Sequence, residues 1–311
     1  MKILITGCLG HIGTYIIENI NKINKFSKII LLDDLNRSKI NNLLFIKKTL
    51  QNSKFVNLDL SEKNAYKKLE KVDVVLHLAS ITDAEGSLRI REKIYKNNLD
   101  IFDNIIKYIK LHKKTKLVHF SSTSVYGKST GLVNESETNL KPQTPYAEIK
   151  LIEEKKLIQS LRGKRFVTLR LGTIAGLSKG IRFHTAVNKF CLNASLKLPI
   201  PVWKNAYDQY RPYLSLKDAT KAIKFVIDKN IFDGKVYNIL SNNFRVKDIL
   251  NLIKKKEKLK IKFINSKIIN QTSYKVSNNL IKAKGIKFKG TLNIEINETL
   301  KVLKNLNRKN I

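Results

Sequence analysis

Residues 144–150 read TPYAEIK, which sets Tyr146 and Lys150 four positions apart. On a helix that spacing stacks both side chains on one face, so a phenol and an ammonium can meet. Pro145 stands where a helix can begin, because its missing N–H goes unused in the first turn. A phenol beside a fixed positive charge is a candidate general base, although a lysine-rich helix also produces this spacing by chance. A second chemical signal is TGCLGHIG, where Gly7, Gly10 and Gly13 recur every third residue. Glycine permits a tight turn and close backbone approach, and a helix starting there offers free N–H groups and partial positive charge to a pyrophosphate. Twenty residues after Gly13 comes Asp33, at the end of the next apolar run. A carboxylate there can accept from an adenosine ribose and would repel a 2′-phosphate, which favours NAD over NADP. Arg37 is the nearby contrary charge.

Further polar residues fall where neighbouring apolar runs end. Asp59 in NLDL could accept from an adenine amino group, or be a plain loop acid. HLAS at 77–80 offers small Ala79 and Ser80 beside which a ribose could pass, while His77 has the pattern of a satisfied core histidine. SSTSVYG at 121–127 supplies hydroxyls able to bond a substrate alcohol or carbonyl.

The elements needed to hold these residues are visible in the hydrophobic pattern. KILIT (2–6), KIILL (28–32), KFVNL (54–58), VDVVLHL (72–78) and KLVHFSS (116–122) have the pattern of strands buried on both faces. Helix-length stretches lie between them, including HIGTYIIENINKI (11–23) and the piece from Leu88 to Lys110. RFVTLRLG (165–172) follows the helix that carries Tyr146. Such alternation predicts an α/β fold, a Rossmann-type doubly wound parallel sheet whose carboxyl edge collects the polar residues. Residues 1–175 form the nucleotide-binding part in this reading. Residues 176–311 are mainly a smaller C-terminal substrate-binding lobe with segments returning to the sheet.

The bulk composition narrows the classes. With 311 residues and 42% hydrophobic residues the chain can bury a sizeable core. No apolar run approaches the ~20 residues of a membrane span, and the N-terminal run is too short for a signal-peptide core, so a cytoplasmic location is expected. Cys8 and Cys191 make neither a disulfide framework nor a metal-ligand spacing, so no metal is expected. The net charge is +35, but 50 of the 60 basic residues are lysine, spread through every segment. Phosphate-reading faces usually favour arginine, so nucleic acid is not the expected partner, and runs such as KKKEKLKIK (254–262) are expected to be solvated.

With these motifs in order, the chain resembles the extended short-chain dehydrogenase/reductase superfamily, specifically the NAD-dependent epimerase/dehydratase family. The resemblance rests on Gly7/Gly10/Gly13, Asp33, Asp59, HLAS, Asn97-Asn98, SSTSVYG, Tyr146 with Lys150, RPYLSLKDA (211–219) and the closing segment 283–300. It implies that Gly7, Gly10, His11, Ile12 and Gly13 surround the pyrophosphate of NAD, with Asp33 on the adenosine ribose and Asp59 and Leu60 beside adenine. Leu78, Ala79, Ser80 and Asn98 would line the inner cofactor path. Ser122, Tyr146 and Lys150 would be catalytic, with Lys150 and the positive nicotinamide lowering the phenol toward neutrality. Thr82, Ser122, Thr123, Thr173, Arg182 and Arg211 would contact a nucleotide-sugar substrate, and Arg211 would face its diphosphate. Thr173 replaces an asparagine common in relatives, and His184 could join Arg182 or merely cap a helix. Dehydratases of the family typically carry an acid just after the catalytic hydroxyl; Thr123 and Ser124 stand there instead. The expectation is an NAD-dependent nucleotide-sugar epimerase, most simply a 4-epimerase, and a homodimer by analogy with relatives. A net reductase or dehydrogenase of the same family, and a non-enzymatic or RNA-associated member, are the alternatives.

Overall fold

The computed structural model describes residues 1–36, 40–47, 52–82, 90–127, 129–161, 165–265 and 273–304; Arg37 and Leu88 lie outside them. In chain order the strands begin with β1 (Lys2–Thr6), β2 (Lys28–Asp33), β3 (Ser53–Asn57), β4 (Val74–His77), β5 (Lys116–Ser122), β6 (Gly131–Val133) and β7 (Phe166–Leu171). They continue with β8 (Thr173–Ala175), β9 (Ile200–Trp203), β10 (Tyr210–Ser215), β11 (Val236–Ile239), β12 (Asn242–Arg245), β13 (Ile261–Ile264) and β14 (Tyr274–Val276). The helices are α1 (His11–Glu18), α2 (Ile20–Ile23), α3 (Ile40–Lys47), α4 (Arg91–Leu111) and α5 (Pro145–Leu161). After them come α6 (Ala186–Ser195), α7 (Leu216–Asp228), α8 (Val246–Lys254), α9 (Asn279–Lys282) and α10 (Leu292–Leu303).

Seven strands form the main sheet in the order β3-β2-β1-β4-β5-β7-β11, every neighbouring pair parallel. The apolar runs look continuous because alternate residues enter two cores. Ile3, Ile5, Val74, Leu76, Val118, Val167 and Leu169 join Ile16, Ile17 and Ile223 from α1 and α7 on one face. Leu4, Val75, Leu117 and Phe166 join Phe102, Ile105 and Leu157 from α4 and α5 on the other. The chain runs outward from β1 to β3, then returns to place β4 on β1's other side. That reversal opens a crevice at the carboxyl ends of β1 and β4, where ligands bind in open α/β sheets.

Three expectations need correction. The stretch 11–23 is two helices, because Asn19 leaves helical geometry at ψ 14° between α1 and α2. β3 is an edge strand with exposed positions, since among the described residues no strand pairs beyond it, so it is not buried on both faces. Asp59 lies two residues past the end of β3, in a turn.

The lobe beside the carboxyl edge has its own core, built from Val187, Phe190 and Cys191 of α6, Ile249 and Ile253 of α8, and Ile296 and Leu300 of α10. Its sheet β12-β10-β8 includes β8, which follows β7 after the single residue Gly172, so the lobe hangs directly from the main sheet. β11 and α7 return to the main sheet and its core. Among the described residues, no helix is long and apolar enough to cross a membrane. The lysines at 254–256 are exposed on the lobe's outer side.

Candidate active site

At the crevice the glycine turn packs against the loop after β4 so tightly that side chains are excluded. A Cβ on Gly7, which has φ +64°, would lie 2.6 Å from the Ala79 nitrogen, and one on Gly13 would lie 2.5 Å from the Cys8 carbonyl oxygen. Gly10 is the extended N-cap of α1 and no side chain caps that end, so the helix terminus is presented to the cavity. Asp33 is buried at the end of β2 and its Oδ2 accepts from the Leu9 N–H at 3.0 Å, so the acid also braces the turn. Thr6 accepts from the Ala79 N–H at 3.2 Å and meets Nδ1 of His77 at 2.8 Å. Burial pushes His77 down to about 3, so it is a neutral core histidine, as its pattern implies.

A cavity of about 710 Å³ joins this turn to the hydroxyls after β5 and the mouth of the lobe. Gly7, Gly10, His11, Ile12, Gly13, Asp33, Asp59, Leu60, Leu78, Ala79 and Ser80 line its sheet end. Ser122, Tyr146 and Lys150 stand at its middle, with Thr82, Thr123, Thr173, Arg182 and Arg211 toward the lobe. Asn98 is the exception among the anticipated residues. Its amide faces the loop after β4, accepting from the Ile81 N–H at 2.8 Å and donating to the Ile81 carbonyl at 3.1 Å, while Asn97 takes the place on the cavity wall. Asn98 therefore braces the loop after β4 behind the cavity wall. Asp59 accepts from the Ser61 N–H at 2.8 Å and hydroxyl at 2.7 Å, which fixes the turn beside the adenine end.

Tyr146 is placed by the start of α5. Thr144 accepts from the Ala147 N–H at 3.3 Å and Pro145 is the first helical residue, which is how a short polar residue followed by proline starts a helix. One turn on, Lys150 places its Nζ 5.9 Å from the Tyr146 ring centre. The Tyr146 hydroxyl also hydrogen-bonds Ser122. Ser122 accepts from the Ser124 hydroxyl at 2.9 Å and N–H at 3.2 Å. Thr123 lines the cavity but its hydroxyl is engaged, donating to the Leu171 carbonyl at 3.3 Å, so Ser124 is the hydroxyl that meets Ser122. Burial lifts the Tyr146 phenol above its ordinary value, and Lys150 opposes that without cancelling it. Lys150 thus pulls the phenol down as expected, but burial outweighs it and leaves Tyr146 protonated in the protein by itself.

The lobe contributes charge from far along the chain. His11 bonds the Gly176 carbonyl at 2.9 Å through Nε2, Ser178 donates to the His11 carbonyl at 2.9 Å, and the Gly180 N–H reaches Thr14 at 3.0 Å. These bonds lay residues 176–182 on the glycine turn. Burial holds His11 down at about 4, so its imidazole serves as a neutral clasp and only its backbone belongs to the phosphate turn. Arg182 ends the docked segment, donates to Thr82, and lies 3.7 Å from where a Cβ on Gly10 would stand. The expectation puts Arg182 on the substrate side, yet its guanidinium overhangs the glycine turn at the sheet end of the cavity. Arg211 sits at the far end, donating to the Tyr210 carbonyl at 2.7 Å and the Gln209 side chain at 2.8 Å, with its guanidinium 5.1 Å from the Tyr274 ring centre. His184 is exposed at the rim, just ahead of α6.

The model of the NAD dependent epimerase/dehydratase family matches residues 3–239. The chain belongs to that family. A dTDP-D-glucose 4,6-dehydratase of Dictyostelium discoideum is 30% identical over 278 residues, which is 81% of this chain and 62% of that protein, so the match leaves over a third of the relative uncovered. The uncharacterized UDP-glucose epimerase YtcB of Bacillus subtilis is 29% identical over 77% of this chain and 76% of its own. The crystal structure of UDP-glucuronic acid 4-epimerase from Bacillus cereus in complex with NAD superposes with a TM-score of 0.85 at 21% identity, covering 98% of this chain and 97% of that one. The fold is therefore that of the extended short-chain dehydrogenases, and NAD is the cofactor of the family. The sheet end fits it: a turn with no room for a Cβ, an uncapped helix N-terminus and a buried acid at the end of β2.

Two buried side chains behind the site have a signal that spacing alone could have raised. Glu153 and Glu154 follow Lys150 by three and four positions, where helical neighbours meet. Their partners, His119 and Arg170, come from strands and could not be read locally.

Proposed function

We propose that this enzyme is a nucleotide-sugar 4-epimerase that works by transient oxidation at the sugar's C4. One observation carries the choice of reaction. Among the described residues, the carboxylates lining the cavity are Asp33, Asp34 and Asp59, all at the sheet end, and none lies near Ser122 or Tyr146. Elimination of water needs a group to protonate the departing hydroxyl, and the middle of this cavity offers Ser122, Ser124 and Tyr146 instead. The relatives named above include both a dehydratase and an epimerase, so the reading rests on this chemistry.

In this reading Arg211 and the lobe mouth hold the nucleotide diphosphate, with the sugar reaching inward toward Ser122. Tyr146 takes the proton from the C4 hydroxyl while Ser122, steadied by Ser124, bonds the same oxygen as it becomes a carbonyl. Bound NAD supplies the hydride acceptor and later the donor. Tyr146 then returns its proton to the oxygen once the keto sugar has presented its other face. The phenol needs positive charge beyond Lys150 to act, and an oxidised nicotinamide beside it would provide that.

The test is direct. The purified protein is denatured and released cofactor quantified, then UDP-glucose and UDP-galactose are followed by NMR and mass spectrometry. Stoichiometric NAD and interconversion without mass change are expected. Loss of one water from the sugar would overturn the reading in favour of a dehydratase. Turnover that requires added reduced cofactor would make it a net reductase.

A further inference from the structure

Beneath the Tyr146–Lys150 pair lies a buried acid that the mechanism above does not use. Glu153 Oε2 accepts from Lys150 Nζ at 2.8 Å and, on the same oxygen, from His119 Nε2 at 2.9 Å. His119 is backed by Thr168 at 3.2 Å through Nδ1. Lys150, Glu153 and His119 are 3%, 1% and 0% exposed, so water does little to screen them. Glu153 does not line the cavity, so it reaches the site through the ammonium of Lys150 and through its own charge behind Tyr146.

A lone ammonium 5.9 Å from the Tyr146 ring would favour phenolate strongly in so dry a place. An ammonium with a carboxylate 2.8 Å away is partly neutralised, and its pull at Tyr146 is offset in part. We propose that Glu153 is a positioning residue that holds Lys150 in place and offsets part of its charge, so that it adds to burial in keeping Tyr146 protonated until oxidised NAD is bound. This rests on Tyr146 being the base of an NAD enzyme.

The consequence is a base whose strength follows the redox state of its neighbour. With an oxidised, positive nicotinamide at hand, Tyr146 gives up its proton readily; when that charge has gone, the phenolate loses its support and becomes a proton donor. Proton and hydride would then leave and return together, which suits a reaction that must hand both back to the same sugar.

The other groups around the pair agree with this direction. Burial raises Tyr146, Lys150 and the Ser122 hydrogen bond lower it, Glu153 raises it, and Arg182 lowers it from across the cavity, with a net upward result. Burial lowers Lys150, but Glu153, Tyr146 and Glu154 outweigh it and hold the ammonium above its usual value. Burial pushes Glu153 up, yet Lys150 and His119 hold it at about 2. His77 on β4 is neutral at working pH and adds no charge.

The phenolate of Tyr146 can be read by ultraviolet difference absorbance after stopped-flow pH jumps, subtracting the Tyr146→Phe protein, with and without NAD. In the cofactor-free parent it should appear above about 10, the ordinary tyrosine value, and fall by more than about one unit when NAD is added. Glu153→Gln should lower the cofactor-free titration by about one unit or more, and Glu153→Asp, which keeps the charge, should stay near the parent. Parent-like titration of Glu153→Gln in both conditions would sink the proposal. So would a cofactor-free parent whose Tyr146 ionises well below 10, a measurement that needs no Glu153 variant to fold. Failure of the parent to bind NAD at all would instead overturn the underlying reading.

Discussion

The two ends of the cavity are built in opposite ways. The sheet end is made of backbone: the glycine turn, the α1 N-terminus and the loop after β4, packed until a Cβ would overlap at 2.6 Å. The lobe end is made of long side chains, chiefly Arg182 and Arg211, delivered by loops and by β10. A wall of backbone has one shape and suits a cofactor that is kept. A wall of guanidinium groups can adjust, and suits a charged substrate that comes and goes. Tyr146 stands where the two meet, so in the proposed reaction it would work between cofactor and substrate.

The largest change should come at that meeting point. Tyr146→Phe removes the proton acceptor and should lower kcat roughly 10³-fold while leaving bound NAD in place, as measured by turnover and cofactor content. Loss of NAD from this variant would mean that the phenol belongs to the cofactor wall as much as to the reaction.

Gly7→Ala attacks the backbone end. A methyl group with nowhere to go, at φ +64°, should expel NAD from the purified protein and lower the unfolding temperature. If this protein still retained its cofactor, the rigid-wall account would be wrong. Arg211→Ala attacks the other end and should raise KM for the nucleotide sugar by about 10- to 100-fold with cofactor content unchanged, because a hydrogen-bonded charge is lost. Arg182→Ala sharpens the comparison further. A guanidinium that touches Thr82 and overhangs Gly10 should weaken NAD and substrate together, each by roughly tenfold, in separate titrations. An effect on one ligand alone would assign Arg182 to that end.

The smallest effect concerns the clasp joining the two ends. Folded His11 titrates at about 4 against an ordinary 6.5, so the unfolded chain binds its proton first as pH falls. The stability it contributes is present above about pH 6.5 and is lost progressively down to about pH 4. Urea midpoints should fall over that window, and His11→Gln should flatten the fall. A slope unchanged in that variant would place the titration elsewhere, for example at His77.

Much of this could be read from local pattern. The β1-to-α1 glycine spacing, Asp33 after β2, and the Tyr146–Lys150 pair on α5 are short-range facts, and the structure brings them into one cavity. The misreadings have physical causes. β3 carries apolar residues like its neighbours, but its place at the sheet edge leaves it partly exposed. Asn97 and Asn98 are adjacent on α4, about 100° apart around the helix axis, and the pattern did not say which would face the ligand. Thr123 and Ser124 differ in the same way, with one hydroxyl bonded to β7 and the other to Ser122.

What the amino-acid order determined by itself was everything carried within a few residues: periods of two and three-and-a-half, a glycine turn, a helix start, a pair one turn apart. Such features depend on backbone geometry common to all chains. Tertiary structure alone decided that His11 would clasp Gly176, 165 positions later, that Arg182 would overhang Gly10, and that His119 would meet Glu153 across 34 positions. Those contacts exist only once β1, β4, β5 and β7 lie side by side, because no local rule measures the distance between residues that the chain has yet to bring together.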